Sequence, residues 1–331
     1  MSNVNNTSNI SNLDKKSFTA TCLLCPQHCQ LRQGQTGRCH ARQNQEGEIV
    51  SLTYGEVAAW NVDPIEKKPL YHFYPGSSIF SAGGFGCNLS CSFCQNHEIS
   101  QKHQVGRKVT PAGLAEIALQ EKQSLGLCFT YSEPSVWFEM IRDTAPLVRA
   151  QGGKVVLVSN GTISGRFLEE LIPWVDAVNI DIKAFSEEFY QHYCGGKLAW
   201  VLDNVERLAG RVHLELTTLV IPGANDDRKE IRELARWLRQ LKVPLAWHLS
   251  AYHPAYRLKV PPTDRQTLEQ LGDIAKEYLP YVYLGNIKGG DTTFCPQCGD
   301  VVIQREPVVV NRLDRGCCPK CGGSIFGVGM M

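Results

Sequence analysis

From Ile79 to Leu284, short apolar runs alternate with helical patterns, and this constrains the chain more than any other feature of its 331 residues. Such alternation marks successive βα units that feed a parallel sheet. The pattern predicts strands at 79–83, 127–131, 155–159, 177–182, 212–219, 245–251 and 281–284. It predicts helices at 111–124, 136–151, 164–171, 203–208, 228–241 and 263–278. Thr110-Pro111 and Thr263 carry N-cap chemistry, and Gly152 and Gly210 stand where helices should stop.

A sheet covered by helices on both faces should read apolar throughout, yet several of these strands alternate. Asn179, Asp181 and Lys183 share one face, as do His213, Glu215 and Thr217, and His248, Ser250 and Tyr252. This predicts a wet or ligand-lined face, and an α/β fold built as a partial (β/α)6 TIM-like barrel over 77–290. Residues 1–18 read as a disordered Asn/Ser-rich tail, 19–76 as a cysteine-rich metal-binding segment and 291–331 as a zinc-ribbon-like module.

Lys and Arg number 34 against 33 Asp and Glu, a balance that argues against nucleic acid or an anionic membrane as the main partner. With no long apolar stretch and no apolar signal core near Met1, the expectation is a cytoplasmic protein. Its 14 cysteines then point to metal rather than disulfides. Twelve of them cluster, leaving Cys128, read as core, and Cys194, placed in a Gly-containing loop.

Directly after the first strand runs Gly83-Gly84-Phe85-Gly86-Cys87-Asn88-Leu89-Ser90-Cys91-Ser92-Phe93-Cys94. Three thiolates at this spacing can bind three irons of a [4Fe-4S] cubane and leave the fourth open to a chelating substrate. A zinc site completed by His97 is the alternative. At the C-terminus, Cys295-x2-Cys298 and Cys318-x2-Cys321 are two knuckles at zinc-ribbon spacing, with a rubredoxin-like iron site as the rival. Cys22, Cys25, Cys29 and Cys39 form a fourth-ligand-complete set for one zinc ion or a second Fe-S cluster, and spacing does not decide between them. His28 and His40 read as exposed or satisfied rather than ligands.

The triplet, with Phe93 before its last cysteine, resembles the radical S-adenosylmethionine (SAM) superfamily, most closely its pyruvate formate-lyase activating branch. The resemblance implies that Cys87, Cys91 and Cys94 hold a [4Fe-4S] cluster. It further implies that Glu133, in a strand-end segment lacking the family's glycines, binds the SAM amino group and that Asn160 contacts its ribose. Asp181 and Lys183 match an Asp-x-Lys that meets the SAM carboxylate, and His253 lies in a matching Tyr-His-Pro. The turn Leu219 to Asp226 resembles a Val-Pro-Gly-x-x-Asp turn.

More narrowly, the Cys-x-Leu-Cys-Pro start, Asp63-Pro64-Ile65-Glu66-Lys67-Lys68-Pro69-Leu70 and Tyr74-Pro75-Gly76 resemble the AmmeMemoRadiSam-system enzymes. That resemblance implies Memo-like and AMMECR-like partners, besides a flavodoxin or ferredoxin as electron donor. The expected activity is reductive cleavage of SAM and hydrogen abstraction from a small molecule or a protein residue, with glycyl radical enzyme activation as the alternative. His213, Glu215, His248 and Tyr252 are expected on the substrate side.

Overall fold

A computed structural model describes residues 19–102, 106–121 and 123–330; the tail expected at 1–18 lies outside them. Eight strands form one sheet: β1 (Ala59–Pro64), β2 (Ser78–Gly83), β3 (Ser124–Phe129), β4 (Lys154–Ser159), β5 (Ala177–Asp181), β6 (His213–Val220), β7 (Ala246–Ala251) and β8 (Val282–Gly285). They lie side by side in chain order, with β1 antiparallel to β2 and every other neighbouring pair parallel. The crossovers carry α1 (Pro111–Gln120), α2 (Phe138–Ala150), α3 (Gly165–Leu171), α4 (Leu198–Leu208), α5 (Arg228–Gln240) and α6 (Arg265–Lys276).

The helices follow from caps and apolar stripes. Thr110 caps α1 by accepting from Gly113 N, and Asp227 caps α5 by accepting from Lys229 N and Glu230 N. In α5 the buried side chains are Ile231, Leu234, Ala235 and Leu238, spaced i, i+3, i+4, i+7 as an inward stripe requires. Gly152 and Gly210 take φ of 83° and 74° just past helices, which favours glycine there. At α6 the expectation needs correction. Asp264, not Thr263, is the cap, while buried Thr263 accepts from Tyr252 N and donates to Val220 O, tying α6 to two strand ends. β1 is not among the strands expected from the sequence, and it ends in Pro64. Proline is tolerated there because β1 is an edge strand with one unpaired side.

The polar face of the sheet is not wet at its amino end. The segment after β1 folds back across it: Ile65, Leu70 and Phe73 pack with Ile79, Cys128, Val156 and Ala177 in one buried cluster. Glu215 is fully buried and accepts from Tyr71 N (3.0 Å), His72 N (2.7 Å), His213 Nε2 (3.0 Å) and His248 Nε2 (2.7 Å). Asn179 donates to Pro69 O at 2.9 Å and accepts from Thr217 Oγ1 at 3.0 Å. The substrate-side expectation for His213, Glu215 and His248 is therefore overturned, because their polar atoms already hold a structural segment. Tyr252 is buried too and donates its hydroxyl to Leu258 O.

Beneath this floor sit the C-terminal residues. Three short strands, Thr293–Phe294, Val301–Gln304 and Val310–Asn311, form a small antiparallel sheet. It shares a buried cluster with Ala246, Tyr281 and Tyr283, at the start of β7 and around that of β8. The Phe326 ring stacks on His213 at 5.1 Å, and Tyr74 N and Val328 N exchange hydrogen bonds with Val328 O and His72 O. Buried Arg305 joins the two parts, donating to Tyr71 O at 2.6 Å and lying 4.2 Å from the centre of the Tyr71 ring.

Candidate active site

The loop after β2 is held from both sides. A Cβ at Gly83 would lie 2.2 Å from Thr130 O, so only glycine lets β2 and β3 diverge there. Gly86 has φ 98°, and a Cβ on it would stand 2.4 Å from Cys39 O. That carbonyl accepts from Cys87 N at 3.2 Å. On the other side Ser90 N donates to Cys194 O and Ser92 N to Tyr193 O, at 2.8 and 2.9 Å. The loop thus has little freedom, and its three thiols face one cavity.

That cavity, of about 330 Å³, opens at the carboxyl ends of the strands. It is lined by Cys87, Cys91, Phe93, Cys94, Glu133, Asn160, Asp181 and Lys183, and also by Tyr131, Thr217, Ser250 and Asn286. Cys87 Sγ accepts from Leu89 N at 3.4 Å and from Asn160 Nδ2 at 3.6 Å, and Cys94 Sγ is 3.3 Å from Ser100 Oγ. The Cys194 thiol hydrogen-bonds Cys91. Burial, then the Glu133 carboxylate, hold the Cys87 thiol well above its usual range.

Glu133 is itself an organiser. One oxygen accepts from Ser135 N and Ser159 Oγ, the other from Asn160 N at 2.8 Å, while burial raises its pKa against those donors. Lys183 Nζ lies 2.6 Å from Asp181 Oδ2. Burial pulls its pKa down, but Asp181 and Cys91 outweigh burial and raise it above the usual lysine range, so the ammonium is retained. Asn225 fixes the backbone here, donating to Lys183 O and Leu219 O and accepting from Ile221 N. The turn from Leu219 to Asp226 therefore shapes the Lys183 position, and Leu219 at its start also lines the cavity.

Residues 83–238 match the Radical SAM superfamily. The chain is 38% identical over 294 residues to the uncharacterized protein MJ0808 of Methanocaldococcus jannaschii, covering 86% of this chain and 87% of that one. It is 24% identical over 213 residues to pyruvate formate-lyase 1-activating enzyme of Escherichia coli, covering 58% and 86%. The chain belongs to the radical SAM superfamily. Its fold is also that of a radical SAM methyltransferase from Sphaerobacter thermophilus, with a TM-score of 0.51 at 16% identity over 69% of this chain and 71% of the other.

As a radical SAM enzyme it needs its triplet to suit a [4Fe-4S] cluster, and the donors fit. The three sulfurs are not gathered as ligands of one small ion are, two of them already receive N–H donors or face a hydroxyl, and the adjoining glycines let backbone approach closely. His97 is no fourth ligand, since it stacks on Tyr256 and its Nε2 is 2.9 Å from Glu98. His253 is exposed and outside the cavity lining, unlike the other positions matched to SAM contacts. His28 and His40 are exposed as well.

The cysteines at the C-terminus contrast with the triplet. Cys295 Sγ and Cys321 Sγ are 3.6 Å apart, Cys298 Sγ and Cys318 Sγ 3.7 Å, and all four sulfurs lie within 4.8 Å of one another. Tetrahedral Zn–S bonds of about 2.3 Å place sulfurs about 3.8 Å apart, so the quartet suits a single ion.

Sequence reasoning passed over several cavity residues. Tyr131 has φ 68°, and its hydroxyl donates to Asp63 at 2.6 Å, which also pairs with buried Lys68 at 2.7 Å. Asp63 and Lys68 belong to the Asp63–Leu70 motif, whose roles only the fold reveals. Asn88, between Cys87 and Cys91, donates to Thr162 O and accepts from Asn160 Nδ2 and Thr162 Oγ1. A polar residue inside a metal-binding loop was the available signal.

Proposed function

We propose that Cys87, Cys91 and Cys94 hold the catalytic [4Fe-4S] cluster and that SAM lies against Glu133, Asn160, Asp181 and Lys183. The observation that carries this reading is their convergence on one cavity at the carboxyl end of the sheet. A cluster held there would supply a low-potential electron to the sulfonium of SAM, whose cleavage generates the radical. The protein's part is positional. The Lys183 ammonium attracts the SAM carboxylate, the remaining lone pair of Glu133 Oε2 accepts from its amino group, and Asn160 sits where the ribose would pass. Phe93 and Leu89 keep water from the sulfurs.

The substrate side is then formed by Thr217, Ser250, Tyr131 and Asn286. Hydrogen abstraction from a small molecule or from a residue of a partner protein is the first reading. The motif Asp63–Leu70 supports an AmmeMemoRadiSam-type enzyme with Memo-like and AMMECR-like partners. A flavodoxin or ferredoxin would supply electrons. The likeness to an activating enzyme favours glycyl radical enzyme activation as the second reading, and formation of a glycyl radical on a supplied partner separates it from the first. The knuckles at 291–331 are read as a zinc ribbon, 77–290 as the partial barrel and 19–76 as a separate metal segment wrapped on it. Among the described residues no helix is long and apolar enough to cross a membrane; residence in the cytoplasm remains part of this reading.

Anaerobic, dithionite-reduced protein should convert SAM to 5′-deoxyadenosine. Cys91→Ala should abolish that product and release about four irons per chain. Cleavage that persists in Cys91→Ala would sink the assignment.

A further inference from the structure

We infer that Cys22, Cys25, Cys29 and Cys39 hold a second, polynuclear iron–sulfur cluster rather than one zinc ion. The four sulfurs line one buried cavity with Leu24, Gly37 and Val136. Two sulfurs on the same zinc can stand no farther apart than twice a Zn–S bond, about 4.6 Å. The C-terminal quartet keeps two sulfur pairs at 3.6 and 3.7 Å, inside that limit. Among the described residues it is the one set of three or more potential ligands whose donor atoms all lie within 4.8 Å of one another. The N-terminal sulfurs, closer in sequence and more deeply buried, do not gather into such a set, as four ligands on four separate irons would not.

The surroundings agree. Buried Arg42 contributes positive charge beside Cys22 and Cys39 while bonded to Glu139 and Val136 O.

The site also adjoins the triplet. The Cys39 carbonyl accepts from Cys87 N at 3.2 Å. The Asn88 side chain lines the same cavity as Cys25 and accepts from Asn160, which donates to Cys87 Sγ. Gln27 Nε2 closes the junction by donating to Asn88 O and Gly195 O. The second cluster is thus a neighbour of the SAM site through one backbone hydrogen bond on one side and two side-chain amides on the other.

The test counts metals in full-length protein purified anaerobically from cells supplied with both iron and zinc. It does not require the triplet to act on SAM. A Cys87→Ala/Cys91→Ala/Cys94→Ala variant should keep about four irons, matching sulfide and one zinc per chain, with an iron–sulfur EPR signal on reduction. No iron and two zinc ions in that variant would overturn the inference. Should the triple variant not fold, Cys25→Ser/Cys39→Ser is compared with wild type. A fall from about eight irons to about four supports the inference, whereas an unchanged iron count with one zinc lost overturns it.

Discussion

The two outer cysteine quartets have similar content and opposite placement. The C-terminal four draw their sulfurs to 3.6 and 3.7 Å and sit under the amino end of the sheet, across the floor from the cavity. The N-terminal four do not gather in that way, and they meet the loop of the cysteine triplet where Cys39 O accepts from Cys87 N. Identical side chains therefore serve different ends according to how far apart the backbone holds them and which end of a parallel sheet they meet.

The largest effect should come from setting one quartet against the other. Cys39→Ser should lower SAM cleavage roughly 10- to 100-fold, the range seen when groups supporting a metal site are lost. Cys298→Ser should cost one zinc and change the rate of correctly folded enzyme only about threefold or less, because a floor 'below' Glu215 holds no reacting group. Equal losses in 5′-deoxyadenosine formation would erase the distinction.

A smaller effect is expected at the joint between floor and ribbon. Arg305 donates to Asp291 O, Thr293 Oγ1 and Tyr71 O. Arg305→Ala leaves those buried acceptors short of a donor and should cost about 1–3 kcal/mol. Limited proteolysis should then release the C-terminal residues faster while SAM cleavage by intact protein stays the same. Resistance equal to wild type would show that the ribbon docks by other contacts.

The mildest effect is on pH dependence. Burial lowers the pKa of His72 from 6.5 to about 4, with Nδ1 2.6 Å from Phe326 O and Nε2 2.6 Å from the Tyr283 hydroxyl. The fold keeps this ring neutral, so below pH 6.5 the unfolded chain binds a proton that the native state refuses. Its stabilisation is complete above pH 6.5 and is lost toward pH 4, at about 1.4 kcal/mol per unit. Urea titrations between pH 7 and 5.5 should show that slope in wild type and a flatter one in His72→Asn. Parallel slopes would assign the acid sensitivity elsewhere.

The parallel strands and their helices were legible because local periodicity writes them: the Ile231 to Leu238 stripe and the Asn179/Asp181 alternation need no knowledge of distant chain. The cysteine triplet was legible for the same reason, being complete within eight residues. What lay hidden depends on contacts far apart in sequence. Nothing around Glu215 says that Tyr71 and His72, more than 140 residues earlier, will satisfy it. The polar stripe was therefore read as open to ligand when half of it is filled by chain. Strand β1 was hidden by Pro64, whose place on an edge is a property of the assembled sheet. His253 followed its motif but not the cavity, because the chain after β7 turns it to solvent.

The filled floor bears on traffic. With Leu70, His72, Phe73 and Glu215 buried across the amino end, the cavity is a dead end rather than a tunnel. Whatever enters must depart by the same doorway, so spent fragments of SAM and the altered substrate contend for one exit before the next turnover can begin.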